Sequence, residues 1–309
     1  MKDKRIVFMG TPSFSVPILE KLIEEVTVIA VVTQPDKEVG RKKVLTKSKV
    51  KLVAEAHNIK VLQPVKLRNE YQDIIDLKPD MIITCAYGQI LPKELLEYPK
   101  YKTINVHASL LPKYRGGAPI HHAIINGEEK TGITIMRTDV GMDDGDIIVE
   151  EEIPILETDD YETLSNKLSI LGRDLLIKTL PDIFSSKVKY IKQNNDEATF
   201  AYTIKREDEH LDFNKTTKEV YNKIRALSET GSYAILNNEP IKIYSSIKGE
   251  KYGSLPGQIL CTYKDGIGIA TKDGEIIITS IGVPGKRKMS ARDYLNGINK
   301  DELIGKVFE

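Results

Sequence analysis

The run Ile6-Val7-Phe8-Met9-Gly10-Thr11-Pro12-Ser13 joins an apolar strand signal to a tight turn, and a helical pattern follows it. Val16, Leu19, Leu22 and Ile23 recur near the 3.6-residue period, so residues 13–25 read as an amphipathic helix capped by Ser13. Residues 26–33 form a β-branched run of the kind found in buried strands. The alternation continues with a helix over 49–57, a strand over 59–62, a helix over 67–77, and buried strands over 81–86 and 103–106. Continuous apolar strands separated by helices predict an α/β domain with a doubly wound, mostly parallel sheet covered on both faces. Strands over 133–136 and 147–155 are expected to lie antiparallel at one edge, and a long amphipathic helix is expected within 158–184.

Beyond residue 203 the texture changes. Thr216 and Glu219 have capping-box spacing ahead of Val220, Ile224 and Leu227, which predicts one helix. Short strand signals over 233–236, 241–244, 257–260, 266–270 and 275–281, with glycines between them, predict a small β-barrel of the OB type. The expected division is therefore an α/β domain over 1–186, a polar linker over 187–203 and a barrel over 204–309. No internal repeat is present.

A chain of 309 residues suits two domains at roughly 150 residues each. With 40% hydrophobic and 29% charged residues it is neither disordered nor collagenous. No apolar run approaches the roughly 18 residues that span a bilayer, and the one after Met1-Lys2-Asp3-Lys4-Arg5 is too short for a signal-peptide core. Cys85 and Cys261 supply neither a disulfide framework nor metal-ligand spacing, so a reducing cytoplasm is expected. The chain is expected to be monomeric. Lys plus Arg equals Asp plus Glu at 45 each, which argues against indiscriminate nucleic-acid binding. Two local runs stand out. Residues 37–51 carry Lys37, Arg41, Lys42, Lys43, Lys47, Lys49 and Lys51 against Glu38 alone, a net charge of +6. Residues 281–292 carry Lys286, Arg287, Lys288 and Arg292 with no acid. Each run is either a solvated face or a phosphate contact.

The first strand-to-helix turn has a single glycine, Gly10, and Pro12 removes a backbone donor, so a dinucleotide-binding turn is not indicated. Chemistry concentrates in residues 103–146. Asn105 and His107 lie two apart at the end of a strand and point to the same side, at the sheet end where open α/β folds bind ligands. With the downstream Met142-Asp143-Asp144-Gly145-Asp146, they supply an amide donor, an imidazole and a carboxylate. Acyl transfer needs those parts: an oxyanion donor, a proton carrier and a group that orients the carrier. No Gly-x-Ser-x-Gly elbow is present and Cys85 falls within an apolar strand, so a covalent nucleophile is not indicated. The adjacent His121 and His122 diverge on a helix and make a poor zinc pair, and His57 and His210 stand alone.

These residues, together with Met9-Gly10-Thr11-Pro12, Gln34-Pro35-Asp36, Asn105-Val106-His107-Ala108-Ser109-Leu110-Leu111-Pro112 and Arg115-Gly116-Gly117-Ala118-Pro119-Ile120, closely resemble the methionyl-tRNA formyltransferase family. The resemblance runs essentially the full length and includes the carboxy-terminal barrel. It implies formyl transfer from 10-formyltetrahydrofolate to methionyl-initiator-tRNA, without a metal. It implies catalytic roles for Asn105, His107 and Asp143, with Asp143 favouring the protonated imidazole. It implies a folate contact along Ser109, Leu110, Leu111 and Pro112, with the two leucines offering apolar surface. The basic insertion matches a loop that enters the tRNA acceptor stem, with Arg41, Lys42 and Lys43 as contacts and Lys286, Arg287 and Lys288 as a second patch. That loop, residues 36–47, has few apolar anchors and is expected to be mobile without tRNA. Where the family usually carries an Asn-Pro-Trp-Pro-Gly-Ala turn, this chain has Ser228-Glu229-Thr230-Gly231-Ser232-Tyr233-Ala234, and it has no tryptophan. Glycinamide ribonucleotide transformylases and amino-sugar formyltransferases share the triad with other acceptors, a formyl-folate hydrolase would use water, and a tRNA-binding module with an inactive core is the non-enzymatic alternative.

Overall fold

The computed structural model describes residues 1–40, 42–253 and 255–309. Two compact units emerge. The first comprises residues 1–119, 130–154 and 165–202, the second residues 120–129, 155–164 and 203–309.

The strands of the first unit are β1 (Arg5–Gly10), β2 (Thr27–Val32), β3 (Lys37–Val39), β4 (Val44–Thr46), β5 (Lys60–Leu62), β6 (Met81–Cys85), β7 (Thr103–His107), β8 (Lys130–Arg137) and β9 (Ile147–Pro154). Seven of them form one sheet in the order β5-β2-β1-β6-β7-β8-β9. The first five are parallel, and β8 and β9 run antiparallel at one edge, as expected. Val7, Met9, Ala30, Val32 and Ile82 pack on one face with Leu67, Ile74 and Leu95. The alternate residues Ile6, Phe8, Val31 and Ile83 are equally buried, so both faces are covered. Strand order reverses between β1 and β6, and at such a switch point the carboxyl ends open into a ligand crevice.

The helices are α1 (Val16–Glu25), α2 (Lys49–Ala56), α3 (Gln72–Asp76), α4 (Lys93–Glu97), α5 (Pro119–Ile125) and α6 (Tyr161–Phe184). Two local expectations need correction. Ser13 does not cap α1: residues 13–15 form a 3-10 turn, and the Ser15 hydroxyl donates to the Cys85 carbonyl at 2.7 Å. The helix expected over 67–77 is a 3-10 turn over 67–69 followed by α3, because the Glu70 carboxylate accepts from the backbone of Val65 and Lys66 and pins a turn there. The basic loop over 36–47 contains the short antiparallel pair β3–β4, in which the β-branched Val39 and Val44 face each other.

The polar stretch 187–203 is more than a linker. Ile191 exchanges two backbone hydrogen bonds with Ile147, Thr199 is bonded to Pro112 and Arg115, and Ala201 to Arg115 and Ala118. These contacts are made by backbone, so side-chain polarity does not reveal them.

The second unit contains α7 (Thr217–Ala226), β10 (Ser232–Leu236), β11 (Glu239–Gly249), β12 (Ile259–Thr262), β13 (Ile267–Ala270), β14 (Glu275–Gly282), β15 (Met289–Ser290) and α8 (Ala291–Asn296). The Thr216–Glu219 capping box is formed. Segment 155–164 belongs here because Arg225 donates to the carbonyls of Leu156 and Asp159 at 2.9 and 2.7 Å, and Tyr221 donates to that of Glu157. The sheet is antiparallel in the order β10-β11-β14-β13-β12, with β15 beside β14. Its two edges are joined by residues 305–309: Glu309 exchanges hydrogen bonds with Ile235 of β10, while Gly305 and Lys306 bond to Ile259 of β12 and Phe308 to Gly257. The barrel therefore closes through this segment, and the buried Phe308 ring packs against Phe213 inside it. Phe308→Ala should cost about 3–5 kcal/mol, seen as a lower melting temperature for the second unit; an unchanged melting temperature would count against closure by this segment.

Candidate active site

Asn105 and His107 stand at the carboxyl end of β7, between β6 and β8. The Thr84 hydroxyl donates to Asn105 Oδ1 at 2.9 Å, which turns the amide NH₂ outward. Asn105 Nδ2 then donates to Asp143 Oδ1 at 3.3 Å. His107 is 5% exposed, with Nε2 at 3.0 Å from the carbonyl oxygen of Tyr114 and Nδ1 at 3.7 Å from Asp143 Oδ2. A carbonyl can only accept, so Nε2 carries a proton and Nδ1 is the atom turned to the carboxylate. Asp143 Oδ2 also accepts from Gly116 N at 2.9 Å. The expected trio thus converges. The Tyr114 carbonyl orients the imidazole, and Asp143 adds its charge beyond direct hydrogen-bonding distance.

Asp143 sits in an irregular turn at φ +48°. Gln193 holds it: its Nε2 donates to the carbonyls of Asp143 and Gly145 at 2.8 and 2.7 Å. Gln193 Oε1 in turn accepts from Arg115 Nε and Nη2 at 3.0 and 2.8 Å, and Arg115 Nη2 also donates to Asn195. Two glycines are required by close approach. A Cβ on Gly145 would stand 1.9 Å from the Arg137 carbonyl oxygen, and one on Gly116, at φ +121°, 2.7 Å from that of Ala201. Sequence reading does not single out Gln193; one amide in a polar stretch carries no periodic signal.

The stretch expected along a folate divides. Ser109 is buried with its hydroxyl on the Lys113 carbonyl at 2.6 Å. Leu111 packs with Met136 and Ile147, so it does not offer the apolar surface expected of it. Leu110 and Pro112 are half-buried. Three exposed apolar side chains that sequence reading missed, Ile90, Val140 and Met142, lie on the loops after β6 and β8. The first of these loops is fixed by Tyr87, whose carbonyl accepts from Thr11 and Gln34 at 3.2 and 3.1 Å. Cys85 is fully buried, and burial pushes its thiol up to about 12. His121 stacks on Tyr161 at 4.1 Å, and burial, aided by His122, pushes its pKa down to about 4. Among the described residues, no group of three or more His, Cys, Asp or Glu is placed to hold a metal ion. Among them, too, no helix is long and apolar enough to cross a membrane.

Residues 4–180 match the formyl transferase family and residues 203–299 match the formyl transferase C-terminal domain. The chain is 50% identical over 309 residues to the methionyl-tRNA formyltransferase of Staphylococcus epidermidis, covering 98% of this chain and 99% of that one. It is 48% identical over 313 residues to that of Bacillus velezensis, covering 99% of both. The chain belongs to the methionyl-tRNA formyltransferase family. Among solved structures, the N-formyltransferase from Helicobacter canadensis in complex with folinic acid and dTDP-3-aminofucose is similar at a TM-score of 0.67 and 26% identity, covering 89% of this chain and 98% of that one.

The basic residues that a methionyl-tRNA formyltransferase is expected to turn toward tRNA are partly paired. Arg41 lies outside the described residues. Lys42 and Lys43 are exposed on the hairpin, with Lys43 4.0 Å from Glu38. Lys47 bonds Glu55, and Lys51 is held at 2.7 Å by Asp36, whose own pKa is lowered by Lys51 and then Gln63. The local charge is therefore smaller than the linear count, because Asp36 and Glu55 flank the run outside the window. In the other patch Lys286, Arg287 and Lys288 are exposed, Lys288 lies over the Tyr244 ring, and Arg292 pairs with Asp265.

The Gln193 clasp gives a sharp test. Gln193→Glu keeps an acceptor for Arg115 but sets a carboxylate oxygen against both carbonyls of the Asp143 turn, so kcat should fall about tenfold or more and the melting temperature should drop as well. Gln193→Ala should lower both, the second by roughly 1–3 kcal/mol for the guanidinium left without its acceptor. Steady-state kinetics and thermal melts decide this, and a Gln193→Glu enzyme of normal kcat would contradict it.

Proposed function

We propose that this chain transfers the formyl group of 10-formyltetrahydrofolate to the α-amino nitrogen of methionine esterified to initiator tRNA, with Asn105, His107 and Asp143 as catalytic residues. The observation that carries the reading is the meeting of an amide, an imidazole and a carboxylate at the carboxyl end of β7 in a chain similar over its whole length to methionyl-tRNA formyltransferases.

The amine nitrogen attacks the formyl carbon, and the carbonyl oxygen becomes an oxyanion. Asn105 Nδ2 donates to it. His107 donates from Nδ1 in its charged form, since Nε2 is already committed to Tyr114. The Asp143 carboxylate faces that atom at 3.7 Å, opposite in sign to the charge it carries during the reaction. As the tetrahedral species collapses, the bond to the folate nitrogen breaks, the amine nitrogen gives up a proton and the folate nitrogen takes one. Asp143, through a bridging water, relays that proton. Leu110, Pro112, Ile90, Val140 and Met142 provide the apolar surface for the donor's rings, with the backbone of Ser109 and Leu111 beneath. Lys42 and Lys43 of the hairpin, with Arg41, meet acceptor-stem phosphates, and Lys286, Arg287 and Lys288 meet phosphates farther along the tRNA. This reading places the protein in the cytoplasm with its tRNA substrate.

The test supplies 10-formyltetrahydrofolate with methionyl-tRNA, glycinamide ribonucleotide, a dTDP-amino sugar or water. Only methionyl-tRNA should be formylated; turnover on another acceptor alone would overturn the assignment. Asn105→Ala and Asp143→Asn should each lower kcat by about 10²–10³ with the KM for the donor little changed. Replacing Arg41, Lys42 and Lys43 with Ala should raise the KM for methionyl-tRNA and flatten its log–log salt dependence by about 0.7–0.9 for each phosphate the protein no longer neutralises.

A further inference from the structure

We propose that Phe200 and Tyr202 form a stacking platform for the unpaired 3′-terminal bases of the aminoacyl-tRNA, an inference that rests on the acceptor assigned above. The two rings are 48% and 61% exposed, with centroids 5.8 Å apart and planes within 7° of parallel. Their backbone explains the arrangement. Residues 199–201 run beside 112–118: Arg115 N donates to Thr199 O, Ala201 N to Arg115 O, and Ala118 N to Ala201 O. The Thr199 hydroxyl accepts from Tyr114 N, and Ala201 is fully buried. In this extended stretch alternate side chains point to opposite sides, so Phe200 and Tyr202 emerge together on the open side.

The platform adjoins the chemistry. Phe200 is paired in backbone register with Arg115, and the next residue, Gly116, donates its N–H to Asp143 Oδ2 at 2.9 Å. The reacting amine belongs to an amino acid esterified to the terminal ribose, so with the amine at Asp143 the terminal nucleotide lies one aminoacyl length away and the preceding ones follow from there. One strand spacing is about 4.8 Å and stacked nucleotides advance about 3.4 Å each. Two or three terminal bases therefore cover the distance from the reacting amine to the rings. Single-stranded bases bind proteins by stacking on aromatic faces, and every base has such a face. At 5.8 Å the two rings are too close to admit a base between them, so the bases continue the stack on an outer face. The platform fixes the direction of the 3′ end and leaves the formyl donor untouched.

The experiment compares wild type with Phe200→Leu/Tyr202→Leu, which keeps apolar bulk and removes the rings, and with Phe200→Tyr/Tyr202→Phe, which keeps the rings. The leucine variant should raise the KM for methionyl-tRNA about 5- to 150-fold for each base stack removed, with the KM for 10-formyltetrahydrofolate within about twofold of wild type. The ring-retaining variant should restore the KM. The chain has no tryptophan, so Phe200→Trp installs a single indole. Its fluorescence should be quenched by methionyl-tRNA and unaffected by the folate alone. An unchanged KM for methionyl-tRNA in the leucine variant overturns the platform. So does a rise in the folate KM instead, which would mean the rings hold the donor. A wild-type enzyme that fails to formylate methionyl-tRNA refutes the acceptor assignment itself, a different result from an active wild type with an indifferent leucine variant.

Discussion

Nε2 of His107 faces the Tyr114 carbonyl, a group with nothing to donate, and that contact sets the state of the whole site. It fixes the imidazole plane and its tautomer before any substrate arrives. It leaves Nδ1 facing the Asp143 carboxylate, which also accepts from Asn105 and the Gly116 amide. In the proposed reaction these groups are aimed before the substrates arrive, the preorganisation that makes electrostatic stabilisation of a developing oxyanion effective. The imidazole is also nearly excluded from solvent, so charge at Nδ1 acts through a medium that screens it weakly.

Three segments converge on that arrangement, and none belongs to an α-helix or to a strand of the sheet. Residues 112–118 carry the Tyr114 carbonyl and the Gly116 amide, residues 142–146 carry Asp143, and residues 193–201 bind both. Gln193 uses each end of one amide for a different neighbour, and Arg115 supplies the donors it needs. The regular sheet provides a rigid base through β7, while the carboxylate is positioned by side-chain to backbone bonds reaching across some fifty residues of sequence. A turn held in this way tolerates few changes, which accounts for the close approach at Gly145 and Gly116.

Much of this is legible in the chain before any coordinates. The β-branched runs of β1, β2 and β6 point to the parallel sheet because a strand covered on both faces has no polar alternation to confuse it. Asn105 and His107 can be paired because a two-residue spacing on a strand shares one face. What stays hidden is set by contacts distant in sequence. Periodicity over 67–77 does not show that Glu70 caps the backbone behind it. A count of charges in a window does not show that Asp36 neutralises Lys51, or that Asp265 reaches Arg292. The short strand β15 lies beside a basic run, and its pairing with β14 has no local signature. Gln193 and residues 305–309 share this character: each acts on backbone groups, which look alike at every position in a sequence.

The most direct measurement is the nitrogen-15 spectrum of the His107 imidazole in the folded protein, assigned by its disappearance in a His107→Asn variant. In the neutral ring the proton should reside on Nε2, with Nδ1 unprotonated and perturbed when Asp143 is replaced by Asn. A proton on Nδ1 of the neutral ring, with Nε2 bare, would show that the Tyr114 carbonyl does not set the tautomer, and the account of the site would fall.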